Sequence, residues 1–346
     1  MAGPIPVIIA FGVMDSLRLS QIAGRFAGQR ILVAGDLMLD EFLWGQVSRI
    51  SPEAPVPVVD VTSESYYPGG AANVARNVRE LTAATSLMGV AGADPGGDRL
   101  LSLLAAGGID TGAVQRDAAH STTVKTRVIA RHQQVVRVDR ERKTSLTPEG
   151  TELAIDYLRR HIADLDGIVV ADYAKGFLTQ PLADAICALA GQHGKILTVD
   201  PHPHASLTWR GATAIKPNRA EAFLAAGLAP SEPDSPAMGG EAVLEAGRRL
   251  LEIWQTRSLL ITLGERGMVL FESGRAPYHI PTRAKDVFDV SGAGDTAIAV
   301  LTLALCAGAS PAEAAELANL ASGIVVGKLG TATVTMAELQ ASLAGT

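Results

Sequence analysis

Six short runs of β-branched and other apolar residues recur along the chain: RILVAGD, TSLMGVAG, GIVVADY, KILTVD, ATAIKPN and SLLITLG. Each closes on or beside a Gly, Asp or Asn, and most are separated by alanine- and leucine-rich stretches of helical period such as QPLADAICALAGQHG. That rhythm predicts βαβ units, hence an α/β fold with a parallel sheet covered by helices on both faces. Ligands of such sheets bind beyond the carboxyl ends of the strands, so the polar residues closing each run are the first candidates for function. Two segments break the rhythm. VPVVDVT (56–62) and TTVKTRVIARHQQVVRVDRE (122–141) alternate apolar with polar residues without an intervening helix, as antiparallel strands exposed on one side do. They predict a small sheet projecting from the body, and a movable cover over a site is the natural use of such an appendage.

Composition narrows the class. With 346 residues, 47% hydrophobic and 19% charged, the chain has material for a large core, and disorder is excluded. A net charge of -6 argues against a general nucleic-acid or membrane surface but not against a small anionic substrate. Cys187 and Cys306 lie in apolar, helix-like surroundings far from any CxxC spacing and are expected to be buried, reduced thiols, as in the cytoplasm. IPVIIAFGVM near the start lacks a basic flank and a cleavage site, so it is expected to be an extension rather than a signal peptide. The Pro-rich SPEAPVPV and APSEPDSP are expected to be loops.

The chemistry concentrates in DVFDVSGAGDTAIAVL (286–301), where a loop of small residues leads into an apolar helix. Amides at the start of a helix lack internal partners, and the helix dipole adds positive charge there, so Gly292, Ala293 and Gly294 form an anion hole. Asp295 at its edge either accepts a proton from an attacking hydroxyl or, with Thr296, caps the helix. No P-loop is present. Gly292-x-Gly294-x-x-Ala297 matches a dinucleotide fingerprint only formally, because Glu313 and Glu316 fall in a helix-like stretch and not at a second strand end. His202 and His204 in DPHPH lack a third ligand at any standard metal spacing.

PGGAANVARN (68–77) together with DVSGAGDT (289–296) resembles the paired signatures of the PfkB, or ribokinase-like, sugar kinases, over roughly residues 28–335. The resemblance implies a three-layer αβα fold with a mostly parallel sheet and a protruding β-sheet lid built from about 41–66 and 121–141. Residues 1–27 would be an N-terminal extension with a leading helix, and 336–346 a C-terminal tail. It also implies that Asp295 is the catalytic base beside the Gly292–Gly294 hole. Asp40, Asp36, Gly69, Gly70 and Asn73 would hold the sugar. Asn218 and Glu221 of KPNRAE would organise magnesium-bound water, with no direct Mg²⁺ ligand. Thr262, Gly264 and Gly267 would line the ATP phosphates and ribose, and Asn319 the adenine. Some members hold a monovalent cation, for which Asp289 and the Ser291 carbonyl would serve K⁺.

Narrower features, ISPEAPVPVV, VVADYAKG and VFDVSGAGDT, resemble the module that phosphorylates O1 of D-glycero-β-D-manno-heptose 7-phosphate in lipopolysaccharide core assembly. On that likeness Lys175 and Arg137 meet the substrate phosphate, Asp172 holds a hydroxyl, and Lys125, Arg127 and Arg131 are weaker candidates. The chain would act as the stand-alone version, a homodimer paired through its lid, with a separate phosphatase and adenylyltransferase downstream. Kinases of another sugar and a catalytically silent sugar- or nucleotide-binding regulator are the alternatives.

Overall fold

A computed structural model describes residues 15–131, 133–204, 207–229, 240–284, 287–328 and 330–345. The IPVIIAFGVM stretch and most of APSEPDSP lie outside them. The strands are β1 (Arg30–Gly35), β2 (Leu37–Ile50), β3 (Pro57–Gly70), β4 (Ala84–Gly92), β5 (Asp110–Asp117), β6 (Thr123–Ala130), β7 (Gln133–Arg140), β8 (Gly167–Ala171), β9 (Ile196–Asp200), β10 (Ala214–Ile215), β11 (Ser258–Thr262), β12 (Met268–Glu272) and β13 (Tyr278–Ile280). The helices are α1 (Ser16–Ala23), α2 (Ala71–Leu81), α3 (Pro95–Ala106), α4 (Pro148–His161), α5 (Gln180–Gln192), α6 (Arg219–Ala225), α7 (Gly240–Trp254), α8 (Ala293–Cys306), α9 (Pro311–Val325) and α10 (Met336–Ala344).

Nine strands form the main sheet in the order β13-β12-β11-β10-β9-β8-β1-β4-β5, parallel throughout except where β12 and β13 turn back antiparallel at one edge. All six runs singled out in the sequence are strands of this sheet. Side chains alternate across it: Ile31 and Val33 face one core with α1, α2, α3, α8, α9 and α10, while Leu32 and Ala34 face another with α4, α5, α6 and α7. The result is a ribokinase-like three-layer α/β fold. From β1 the chain first builds outward to β4 and β5, then returns to lay down β8 and its neighbours on the other side. The carboxyl ends of β1 and β8 therefore flank a topological switch point, where such sheets leave a crevice.

β2, β3, β6 and β7 make the second, smaller sheet in the order β3-β2-β6-β7. Its hairpins β2/β3 and β6/β7 are antiparallel as expected, but they are joined by a parallel β2/β6 pairing from Met38↔Thr123 to Gly45↔Ala130. The connection through α2, β4, α3 and β5 forces that direction, because it delivers β6 to the same end of β2 from which β2 itself sets out. The outer strand β7 is exposed along its whole length.

α8 explains the apolar run that follows the glycine loop. Every residue from Thr296 to Leu305 is buried, so the helix is apolar all round and sits inside the molecule against α2, α9, β8 and β9. The two cysteines differ from expectation. Both are free, but they are half-buried, Cys187 within α5 and Cys306 at the end of α8, and partial burial still pushes the thiols up, to about 11 for Cys187 and about 12 for Cys306. Among the described residues no helix is long and apolar enough to cross a membrane.

Candidate active site

The site assembles at the N-terminus of α8. Phe288 and Asp289 donate their amides to the Val326 carbonyl at 2.8 and 3.2 Å, and the Asp289 carboxylate accepts from Ser291 N at 2.9 Å and Gly330 N at 3.2 Å. These bonds pin the loop to the end of α9. The chain then turns into α8 through Gly292 at a φ of +80°, a left-handed value that favours glycine, and no side chain caps the helix. Ala293 turns its N–H back to the Val290 carbonyl at 3.3 Å, whereas the amides of Gly292 and Gly294 find no partner among the described residues. The expected trio of anion-hole amides is thus reduced to these two.

Asp295 does not cap the helix. Its carboxylate accepts from Asn73 Nδ2 at 2.6 Å and from the Tyr173 hydroxyl at 2.8 Å. Burial pushes the group up to about 6 against the pull of both hydrogen bonds and of nearby Lys216, which gives it a higher proton affinity than an ordinary carboxylate. Thr296 bonds sideways, to Asn77 Oδ1 at 2.6 Å, and Asn77 Nδ2 bonds the Asn73 carbonyl at 2.9 Å. This buried ladder locks α2 to α8 and so fixes Asn73 against Asp295.

On one side of Asp295 lie the residues expected to hold a sugar. Asp36, just past β1, spends its carboxylate on three backbone amides, those of Tyr173 (2.9 Å), Lys175 (3.1 Å) and Phe177 (3.0 Å). Asp40 on β2 is buried and bonded to Arg127 of β6 at 2.5 Å. Gly69, one residue before the end of β3, lies so close to Asp40 that a Cβ there would lie 2.5 Å from its Oδ2, and Gly70 leads directly into α2. Asp172 follows β8, is buried with Oδ2 unpartnered, and is pushed up to about 7, chiefly by burial. Lys175 meets Glu141 at 2.7 Å, and Lys125 reaches the same Glu141 oxygen at 3.4 Å. Arg137 is exposed on β7 and paired with Asp139 at 2.9 Å, and Asp139 also meets Lys125 at 3.0 Å, so Arg137 stands at the outer rim of this cluster, one carboxylate away from the lysines. Arg131 is exposed at the β6/β7 turn.

On the other side lie the residues expected to meet a nucleotide. Asn218 and Glu221 form a capping box on α6, with Asn218 Oδ1 accepting from Glu221 N at 2.9 Å and Glu221 Oε2 accepting from Asn218 N at 2.7 Å. Thr262 bridges to Asn218 at the end of β11, and Gly264 and Gly267 shape the turn that follows. Asn319 is buried on α9 and donates to the Pro281 carbonyl at 2.8 Å, which makes it a tie between segments. It does not wall the neighbouring cavity of about 250 Å³, which is lined by Arg283, Phe288, Leu320, Gly323, Ile324, Gly327 and Ser342. His202 and His204 stand with rings 5.5 Å apart, and no group of three or more His, Cys, Asp or Glu among the described residues is arranged to hold a metal.

The pfkB family carbohydrate kinase model matches residues 29–338. This chain belongs to that family. The bifunctional protein HldE of Desulfatibacillum aliphaticivorans is 46% identical over 319 residues, covering 92% of this chain and 64% of that protein, so the chain spans less than two thirds of the relative's length. Among solved structures, phosphofructokinase-2 from Escherichia coli in complex with potassium has a TM-score of 0.73 at 19% identity, covering 92% of this chain and 98% of the other. Arabidopsis thaliana ribokinase complexed with ribose and ATP has a TM-score of 0.66 at 16% identity, covering 91% and 98%.

In this pfkB-family chain two groups escaped the sequence reading. Lys216 is 2% exposed, holds both Asp200 carboxylate oxygens at 3.0 Å, and stands so near the helix start that a Cβ on Gly294 would lie 3.6 Å from its Nζ. Tyr173 is the second. Both of them, and Asp200 with which Lys216 pairs, close or follow strands (VVADY, KILTVD, ATAIKPN), which was the available signal; only the fold shows that they converge on Asp295. The carboxyls of Asp200 and Glu221 are both pushed up, mainly by burial, and Asp200 adds to the effect on Glu221. Two crowded carboxyls of this kind suit a hydrated divalent cation, which their charge would attract and which would relieve their repulsion.

Proposed function

We propose that the chain transfers the γ-phosphoryl group of ATP to O1 of D-glycero-β-D-manno-heptose 7-phosphate, giving the 1,7-bisphosphate and ADP. The observation that carries this reading is the placement of Asp295: a carboxylate pushed up to about 6 stands at a helix start whose Gly292 and Gly294 amides are unpaired, opposite the buried ammonium of Lys216. The sugar O1–H gives its proton to Asp295 as the O1–P bond forms and the bond from phosphorus to the ADP oxygen breaks. Amides and Lys216 meet the charge on the moving phosphoryl, and the helix dipole acts in the same sense. Magnesium, held through its water by Glu221 and Asn218, would supply charge neutralisation to the nucleotide phosphates. Potassium beside Asp289 and Ser291 is a further element of the proposal, suggested by the potassium complex of phosphofructokinase-2.

The substrate is proposed from ISPEAPVPVV, VVADYAKG and VFDVSGAGDT, whose likeness to the heptose 7-phosphate kinase module was described above. At the sugar end Asp40 and Asp172 would hold hydroxyls between Gly69 and Gly70, and Lys175 with Lys125 would take the 7-phosphate in place of Glu141. The small sheet would act as the lid, with residues 28–335 the kinase unit. Apolar side chains exposed on it, Val61, Val136 and Val138, support pairing of two copies through it.

The test is phosphorus NMR of the product formed from Mg-ATP and heptose 7-phosphate, beside a panel of other sugars. A new anomeric phosphate is expected with the heptose substrate. Asp295→Asn should lower turnover by roughly 10² to 10⁴ while leaving ATP binding intact, the range for a positioned base. ADP formed faster with another sugar would reassign the substrate, and ligand-induced thermal stabilisation without ADP from any sugar would mark a silent binder.

A further inference from the structure

Tyr173 has no part in the reaction as just described, yet it makes one of the two hydrogen bonds to the Asp295 carboxylate, at 2.8 Å. The loop that carries it is unusually constrained. Asp36 gathers the amides of Tyr173, Lys175 and Phe177 around a single carboxylate. Ala174, immediately after Tyr173, takes a φ of 56°, a left-handed conformation that a residue with a Cβ adopts only where its surroundings compel it. Asp172 beside it accepts the Ala174 amide at 2.8 Å. Five residues are thus wound tightly at the β1/β8 switch point, and the outcome is a phenol aimed at the base.

The direction of that bond is settled by the chemistry of the partners. Burial and the neighbouring carboxylates hold the Tyr173 hydroxyl well above its ordinary range, so it stays protonated and donates. A donor to the ionised form of a carboxyl stabilises that form. We propose that Tyr173 is a positioning residue for the base: its hydroxyl holds the Asp295 carboxylate ionised and oriented toward the incoming sugar hydroxyl, and Asp36 builds the loop that aims it. The inference rests on the base role of Asp295 proposed above. The other groups facing Asp295 are Asn73 from α2, Asp200 at the end of β9 and Lys216 after β10, with Glu221 of α6 acting on Tyr173. Asp200 and Lys216 pair with each other and act on Asp295 in opposite senses, so the hydrogen bonds of Asn73 and Tyr173 are the chief counterweight to the upward push of burial.

The experiment is a pH profile of kcat/KM for ADP release with heptose 7-phosphate, between pH 5 and 9, on the full chain and its variants. Tyr173→Phe removes the donor and keeps the ring, so the acid limb should move to higher pH by about one unit. At pH 6 activity should fall about fivefold, with recovery toward wild type above pH 8 and an unchanged KM for ATP. Replacing Tyr173 by 3-fluorotyrosine, a stronger donor of nearly the same shape, should move the limb the opposite way, and this holds even if the Phe variant folds poorly. An acid limb that stays in place in the fluorotyrosine protein would overturn the inference while leaving the kinase reading intact. So would a loss in Tyr173→Phe that is equal at every pH. A wild-type chain that releases ADP with no sugar would overturn both.

Discussion

Each residue at this site does one thing because its neighbours forbid the alternatives. Asp295 is a base candidate and not a cap because Gly292 already turns the chain and Asn73 and Tyr173 draw the carboxylate away from the helix amides. Its folded-state value of about 6 lies above the usual carboxylate range, so the base is lost as pH falls through 6, and kcat/KM should decline on that side in a pH profile. The same shift means that the folded state binds the proton more tightly than the unfolded one. The stability associated with that proton is complete below the unfolded value and lost as pH rises through 6. Lys216 offers a sharper test. Replacing it with Met should cut kcat by about 10² to 10³, as expected when a donor to a transferring phosphoryl is removed. Because that change also strands the Asp200 carboxylate, the double variant Asp200→Asn/Lys216→Met should recover thermal stability but not turnover. Recovery of both would make the pair purely structural. The glycine loop and Asp295 were legible because local spacing carries them, whereas Asn73 was expected, by resemblance, to reach a sugar hydroxyl, and its bond to Asp295 was not foreseen. Lys216, Asp200 and Tyr173 were not, because each belongs to a different strand end and only the packing of β8, β9 and β10 brings them together.

At the scale of elements, the period-2 and period-3.6 patterns identified the inner strands and the principal helices, since both faces of the main sheet are buried and the strands read as continuous apolar runs. β5, β12 and β13 lie at or near the edges, where that signal weakens, and were missed. The parallel β2/β6 pairing was also invisible, because alternation says which face is buried but not which way a neighbour runs. The contact of α2 with α8 depends on polar groups inside an apolar layer: Thr296 Oγ1 satisfies Asn77 Oδ1, and both residues are buried. Thr296→Val keeps the shape and leaves that oxygen unpaired, so it should cost about 1–3 kcal/mol in a urea unfolding curve. Kinase activity should fall as well, because the ladder sets the register of Asn73 against Asp295. A neutral result in both measurements would show that the helices are held by their apolar contacts alone.

The whole molecule divides into a body closed by two cores and a small sheet that is open to solvent. Trp44, Val61, Val136 and Val138 are each more than a third exposed on that sheet, a poor arrangement for a surface that meets only water. If two copies pair there, the double variant Val136→Asp/Val138→Asp should halve the mass measured by light scattering and leave the fold intact by circular dichroism. An unchanged mass would place any self-association elsewhere. The two hairpins of this sheet cannot open independently. β2 and β6 share a ladder from Met38 to Gly45, and the Asp40–Arg127 ion pair crosses the same seam, so the four strands form one plate. Such a plate can pivot only where it joins the body, near Asp36, Gly70, Thr122 and Glu141, the last ion-paired to Lys175. If Asp40 holds the sugar and two copies pair through β7, as proposed, pressure applied at the far rim would arrive as a tilt of Asp40 over the crevice, making quaternary contact and sugar grip two ends of one lever.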